Sequence, residues 1–177
     1  MRLIDAAASA FAKRGYAKTA VRDICVEAGL SVGSFYYHFA DKAEITLAIL
    51  ERESKHFVER LDAIDLRRPS SIESTLNELV HGPTGPLYTA LREAVEIEPR
   101  VAEAAADIRR HARDRLAVVI SRARTARSTF QLDARIVAWA FLALVGEALA
   151  RRADAAEDEL TRGIATIIHQ AVIALGE

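Results

Sequence analysis

The chain has 177 residues, 51% of them hydrophobic and 28% charged. That balance excludes a disordered segment and leaves room for a real core. The net charge of −1 does not by itself advertise a nucleic-acid partner, and the single cysteine, Cys25, excludes an internal disulfide and a cysteine-rich zinc site.

The opening residues, MRLIDAAASAF, lack the apolar run of a signal peptide. The longest apolar run, Ile136 to Val145, is about half of what crosses a bilayer. A reducing, cytoplasmic setting without membrane contact is the expectation. The first 45 residues carry six Lys/Arg against five Asp/Glu, an asymmetry too small to argue from.

Helical spacing recurs almost everywhere, so the fold class is all-α. Leu3, Ile4, Ala7, Ala8 and Phe11 form one apolar stripe. Gly15 ends that helix, with Lys13 and Arg14 in its last turn. Thr19 is placed to cap a second helix, with Val21, Ile24, Cys25 and Ala28 facing inward. Gly29 ends it. Ser31 caps a short third helix from Val32 to Phe39, and Asp41 caps a long fourth one.

DLRRPSS is then a break, SIESTLNELV a modest helix, and HGPTGP the most turn-rich stretch of the chain. LYTALREAVEIE follows, ended by Pro99. A long helix runs from Arg100 to about Arg127 on a seam of Val101, Ala105, Ile108, Ala112, Leu116, Val119 and Ile120. A very apolar helix spans about Ala134 to Arg151, and a last one about Ala155 to Leu175.

Between Ala28 and Lys42 lies AGLSVGSFYYHFADK. Phe35 and Phe39 share a helical face with Val32 and read as core. Tyr36, Tyr37 and His38 are consecutive, so they fan around the helix and cannot all point inward. Gly33 and Ser34 are poor choices for a helix interior unless something approaches closely. Gly29-Leu30-Ser31-Val32-Gly33 also matches the G-x-S-x-G of a nucleophile elbow, which would make Ser31 the nucleophile of a serine hydrolase. That elbow needs a preceding strand, and AVRDICVEA has helical spacing instead. The chain is therefore not expected to be an enzyme. A helix, a short glycine turn and a second helix form a helix-turn-helix, whose second helix enters the DNA major groove.

The ordered run Ala7, Phe11, Gly15, Tyr16, Thr19, Ile24, Ala28-Gly29, Ser31, Gly33, Tyr36-Tyr37-His38-Phe39 and Lys42 resembles the N-terminal domain of TetR-type (tetracycline-repressor-like) transcription regulators. The resemblance implies about nine helices. It also implies a homodimer on double-stranded DNA at a palindromic operator, released by a small-molecule effector of unknown identity. An activator, or a member without an effector, is the alternative. Carried over, the DNA-contacting residues are Thr19, Val32, Gly33, Ser34, Tyr36, Tyr37, His38 and Lys42. Many members carry Lys or Arg where Val32 stands, which implies greater reliance here on apolar contact with thymine methyls. Members often begin with a basic arm; here only Arg2 precedes the helix, so no minor-groove arm is expected.

Residues 1–44 are expected to form the DNA-binding domain, and 45–177 an effector-binding and dimerisation body. Small residues Ala143, Gly146 and Ala150 permit close helix approach. With Ile164, Ile167, Ile168, Ala171 and Leu175 of the last helix they make the candidate dimer face. Tyr88, His111, Arg115 and Trp139 are the candidate pocket residues. No phosphate loop, metal-ligand cluster or dinucleotide fingerprint is present, so no metal or cofactor is expected.

Overall fold

The computed structural model describes residues 2–81, 84–123, 133–150 and 157–172. They form nine helices: α1 (Arg2–Arg14), α2 (Val21–Ala28), α3 (Val32–His38), α4 (Lys42–Ala63), α5 (Pro69–His81), α6 (Thr84–Ile97), α7 (Pro99–Ala123), α8 (Ala134–Ala150) and α9 (Glu157–Val172). The all-α expectation and its helix order hold. Prolines mark starts: Pro69 and Pro99 sit at the first helical position, where a missing N–H costs nothing. The expected end of α7 near Arg127 and the Leu175 end of α9 lie outside the described residues.

The chain packs as two compact units, Met1–Lys55 with Pro83–Ile108, and His56–Gly82 with Arg109–Glu177. The first unit thus joins the segment expected to bind DNA to the rest of its own compact core. The reason lies in α1. Its sequence stripe gives one face, but Leu3, Ala6, Ala7, Ala8, Ala10 and Phe11 are all buried. One side packs on α2 and another on α6. Alanines let both neighbours come close. The first core joins Phe11, Tyr16, Ile24, Phe35, Ile45 and Ile49 to Leu87, Leu91 and Ala94 of α6 and Val101 of α7. Each large apolar side chain buried in this way contributes about 1.5–3 kcal/mol.

In the second unit α5 packs on α9 and α8. Ile72 and Leu76 of α5, Leu116 and Ile120 of α7, Phe141 and Val145 of α8, and Ile164 and Ile168 of α9 are buried. Of the expected α7 seam, Ile108 and Val119 are only half-buried. Among the described residues, no helix is long and apolar enough to cross a membrane.

Two glycines adopt left-handed backbone, Gly15 at φ +82° and Gly29 at φ +65°. A Cβ on Gly29 would meet nothing closer than the Arg2 guanidinium at 4.0 Å, so only the backbone is strained. A Cβ on Gly15 would also press on Glu93 Oε2 at 3.0 Å. Gly29→Ala is expected to cost about 1–2 kcal/mol, and Gly15→Ala more, in urea unfolding followed by circular dichroism.

Candidate nucleic-acid interface

α2 ends by turning through Gly29. The Gly29 N–H donates to Val26 O at 3.2 Å and the Leu30 N–H to Cys25 O at 2.9 Å, which satisfies the last carbonyls of the helix. Ser31 then caps α3: its hydroxyl oxygen accepts from the Ser34 N–H at 3.1 Å. The same oxygen lies 2.9 Å from the Ser34 hydroxyl. Ser31 is thus engaged as a cap between two helices, and the strand that a nucleophile elbow needs is not there. At the far end the Phe39 N–H donates to Phe35 O at 2.9 Å. Asp41 caps α4 by accepting from the Glu44 N–H at 2.8 Å. This bond, followed by the nearby Arg100 guanidinium at the start of α7, holds the Asp41 carboxyl below the usual carboxylate range.

The aromatics from Phe35 to Phe39 divide between core and solvent. Phe35 is wholly buried and Phe39 half-buried, with ring centroids 5.8 Å apart. Tyr36 is 57% exposed and Tyr37 84%. Tyr37 and the exposed His38 pack edge to face at 4.9 Å. Val32 and Gly33 are also exposed, and Ser34 partly so. Gly33 has no positive φ, and a Cβ there would meet only Ser31 Oγ at an ordinary 3.7 Å. Neither backbone nor packing demands glycine at this position. α3 therefore presents Val32, Gly33, Ser34, Tyr36, Tyr37 and His38 as one outward group.

Two expected members do not join it. Thr19 is 1% exposed, and its hydroxyl donates backward to Gly15 O at 2.7 Å. The residue that caps α2 is Ala20, whose own N–H donates to Asp23 Oδ2 at 2.9 Å. A threonine hydroxyl can bond forward to a helix amide or back to a carbonyl, and here the back bond wins. Lys42 is half-buried and turned inward. Its ammonium donates to Tyr16 O at 2.9 Å and Thr19 O at 3.0 Å, over the Tyr16 ring at 4.0 Å. Burial lowers its pKa, while Glu98 and Glu93 oppose the shift.

Tyr16 anchors this corner and was not among the expected site residues. It is buried, with its hydroxyl donating to Glu98 at 2.9 Å and its N–H to Glu93 at 2.7 Å. Burial, then Glu98, push its phenol well above the ordinary value, so it stays protonated and can donate. Of the cations preceding α3, Lys13 pairs with Glu27 and Arg14 with Asp23. Lys18 and Arg22 are exposed.

The four expected pocket residues divide between the two units. Tyr88 is a half-buried residue of α6 in the first unit. In the second unit His111 is exposed, and Trp139 is 63% exposed on the outer side of α8. Trp139 thus faces outward, because Val137, Ala138 and Phe141 take the inner side. Arg115 lines a cleft of about 370 Å³ with Asp62, Leu66, Arg67, Val119 and Arg122. There it grips both oxygens of Asp62 at 2.6 Å.

Among the dimer candidates, Ile164 and Ile168 are buried within the unit. Ile167 is 57% exposed, Ala143 exposed and Gly146 half-buried. The side chains of Ala150 and Ala171, and Leu175 entirely, lie outside the described residues. Ile136, Trp139, Ala140 and Ala143 make an outward apolar stripe at helical spacing. No cluster of three potential metal ligands exists among the described residues.

A helix-turn-helix with an outward-facing second helix, set in an all-helical chain, is the architecture of a DNA-binding transcription regulator. Residues 3–49 match the family described as bacterial regulatory proteins, tetR family. The chain is similar to the transcriptional repressor KstR2 of Mycobacterium tuberculosis, 38% identical over 96 residues, 53% of this chain and 42% of that protein. The matched stretch spans less than half the length of this curated relative. The fold matches Salmonella enterica GusR at a TM-score of 0.78 with 20% identity, over 97% of this chain and 92% of that one. It matches FadR of Bacillus subtilis, solved in complex with stearoyl-CoA, at a TM-score of 0.74 with 18% identity, over 95% of this chain and 96% of that one.

Core and outward residues of α3 separate by stability. Tyr37→Ala should leave the unfolding free energy from urea titration within about 0.5 kcal/mol of wild type, whereas Phe35→Ala should cost about 3–5 kcal/mol. Asp41 adds a pH dependence. Its native carboxyl is held below the usual range, so its stabilising effect is present at neutral pH and lost as pH falls through and below that range. Asp41→Asn retains a good cap and should flatten the acid limb of thermal melts run from about pH 6 to about pH 3.

Proposed function

We propose that the chain is a dimeric, sequence-specific DNA-binding repressor, released from a palindromic operator by a small molecule. The observation that carries this reading is the outward face of α3. Val32, Gly33, Ser34, Tyr36, Tyr37 and His38 serve no core, yet they stand on a helix capped at both ends. Gly33 and Ser34 admit close backbone approach to base edges, and Val32 offers apolar contact to a thymine methyl. Tyr36, Tyr37 and His38 supply phosphate and sugar contacts that set register. Lys18 and Arg22, exposed beside and within the start of α2, add the cationic contacts that the inward-turned Lys42 does not.

Two copies meet through α8 and α9 in this reading. Large apolar side chains left in water at Ile136, Trp139 and Ile167 call for a partner surface. A two-fold dimer presents two reading helices to half-sites about 34–36 Å apart. The effector site belongs to the second unit, and the cleft holding Arg115 and Asp62 is its candidate. KstR2 is a repressor, which supports repression, and FadR has been solved with an acyl-CoA, which supports small-molecule control.

Selection from a random duplex pool at near-physiological salt should enrich a palindrome, and Tyr37→Ala should abolish the enrichment. Ser34→Ala should alter base preference at one or two positions of each half-site. Trp139→Asp should sediment as a monomer and lose the palindrome while keeping its helical circular dichroism. A wild-type protein that enriches no motif would end this reading.

A further inference from the structure

The helix-turn-helix has two ends, and one side chain joins them. Tyr16 and Thr19 lie just before α2; Lys42 lies just after α3, at the first position of α4. The Lys42 ammonium donates to the carbonyls of both Tyr16 and Thr19, at 2.9 and 3.0 Å, and its contact to Thr19 spans 23 positions. An ammonium has three donors and no acceptor. Two donors are taken by buried-side carbonyls, and the charge sits 4.0 Å from the Tyr16 ring centroid. Both bonds and the ring contact lie within the first unit.

The reading helix needs such support. α3 has only 7 residues, far below the length at which a helix is stable alone. Its tie to the core is the buried Phe35, with Phe39 half-buried behind it. One anchored ring leaves the helix free to tilt about it, so the angle must be set by what brackets the helix. On one side stands the left-handed turn at Gly29. On the other stand the Asp41 cap and Lys42.

We propose that Lys42 is a positioning residue of DNA recognition: its ammonium closes residues 19–42 into a noncovalent ring that fixes how α3 is presented, and it does not touch a phosphate. The inference rests on the DNA-binding reading above. Closing the segment removes most of the relative freedom of its ends. The bonds run from a cation to carbonyls in a half-buried setting, where charge-assisted bonds are strongest. A phosphate contact makes a different prediction, because each one displaces a condensed counterion and is felt on any DNA sequence.

Lys42→Met keeps the apolar stem and removes the ammonium. Binding is measured over a salt series, to the duplex that wild type enriches and to a random-sequence duplex. Operator affinity should fall about tenfold. Affinity for the random duplex should stay within about twofold, with the slope of log K against log salt unchanged. A general loss of folded protein would weaken both duplexes equally, so the selective loss is what identifies positioning. Independently of DNA, amide exchange of α3 should accelerate while that of α5 and α9 stays as in wild type. A slope reduced by about 0.9 with equal losses on both duplexes, or unchanged exchange in α3, overturns the proposal. If wild type shows no sequence preference, the functional reading fails on its own, and exchange in α3 then decides the role of Lys42. Should Lys42→Met not fold, Lys42→Gln, which still reaches one carbonyl, is read in the same way with an intermediate loss.

Discussion

Tyr16 enters the core whole, and the geometry of the first unit follows from how its polar atoms are satisfied there. A phenol and a backbone amide buried without partners would each cost about 1–3 kcal/mol. Glu98 and Glu93 remove that cost by accepting from the hydroxyl and the amide. The ring makes an edge-type contact with Phe11, centroids 5.3 Å apart, and the Lys42 charge lies over it. Gly15 supplies the left-handed turn that directs the chain into this seat, and Thr19 closes the turn by bonding back to Gly15 O. Two acids on α6 and beside the start of α7 thus hold a corner formed some eighty residues earlier in the chain.

The same unit keeps its core and its outward-facing groups on separate side chains. Phe35, Ile24 and Phe11 belong to the core, with almost no exposure. Tyr37 is held out in solvent. A face that folding does not use is free to vary with the partner it meets, while the caps at Ser31 and Asp41 hold the helix ends beneath it. Fold likeness alone says little about function; the unclaimed polar and aromatic groups of α3 say more.

Much of this was legible in the sequence. Apolar spacing located the helices, Gly15 and Gly29 located two turns, and Ser31 and Asp41 located two caps, because each signal is local. The split between Phe35 and the tyrosines was also local, since consecutive residues cannot share one helical face. What escaped depends on distant partners. Thr19 has two possible hydrogen-bonding directions, and only the folded turn selects one. Lys42 has a long flexible stem, so its direction depends on carbonyls 23 and 26 positions away. The Glu93 and Glu98 partners of Tyr16 are 77 and 82 positions away, beyond any periodicity. Trp139 looked like pocket lining, but a helix apolar on every side gives no clue to which face stays uncovered.

The seat of Tyr16 also bears on modular engineering. Grafting residues 1–44 onto a foreign body, to give an existing sensor a new operator, would cut through the early part of α4 and leave behind Glu93, Glu98 and the α6 side chains that cover α1. Such a cassette carries an uncovered apolar flank and an unpartnered buried phenol. The transplantable piece is discontinuous: it must bring the α6 and early α7 surface with it, or the recipient must already offer carboxylates in the same two places.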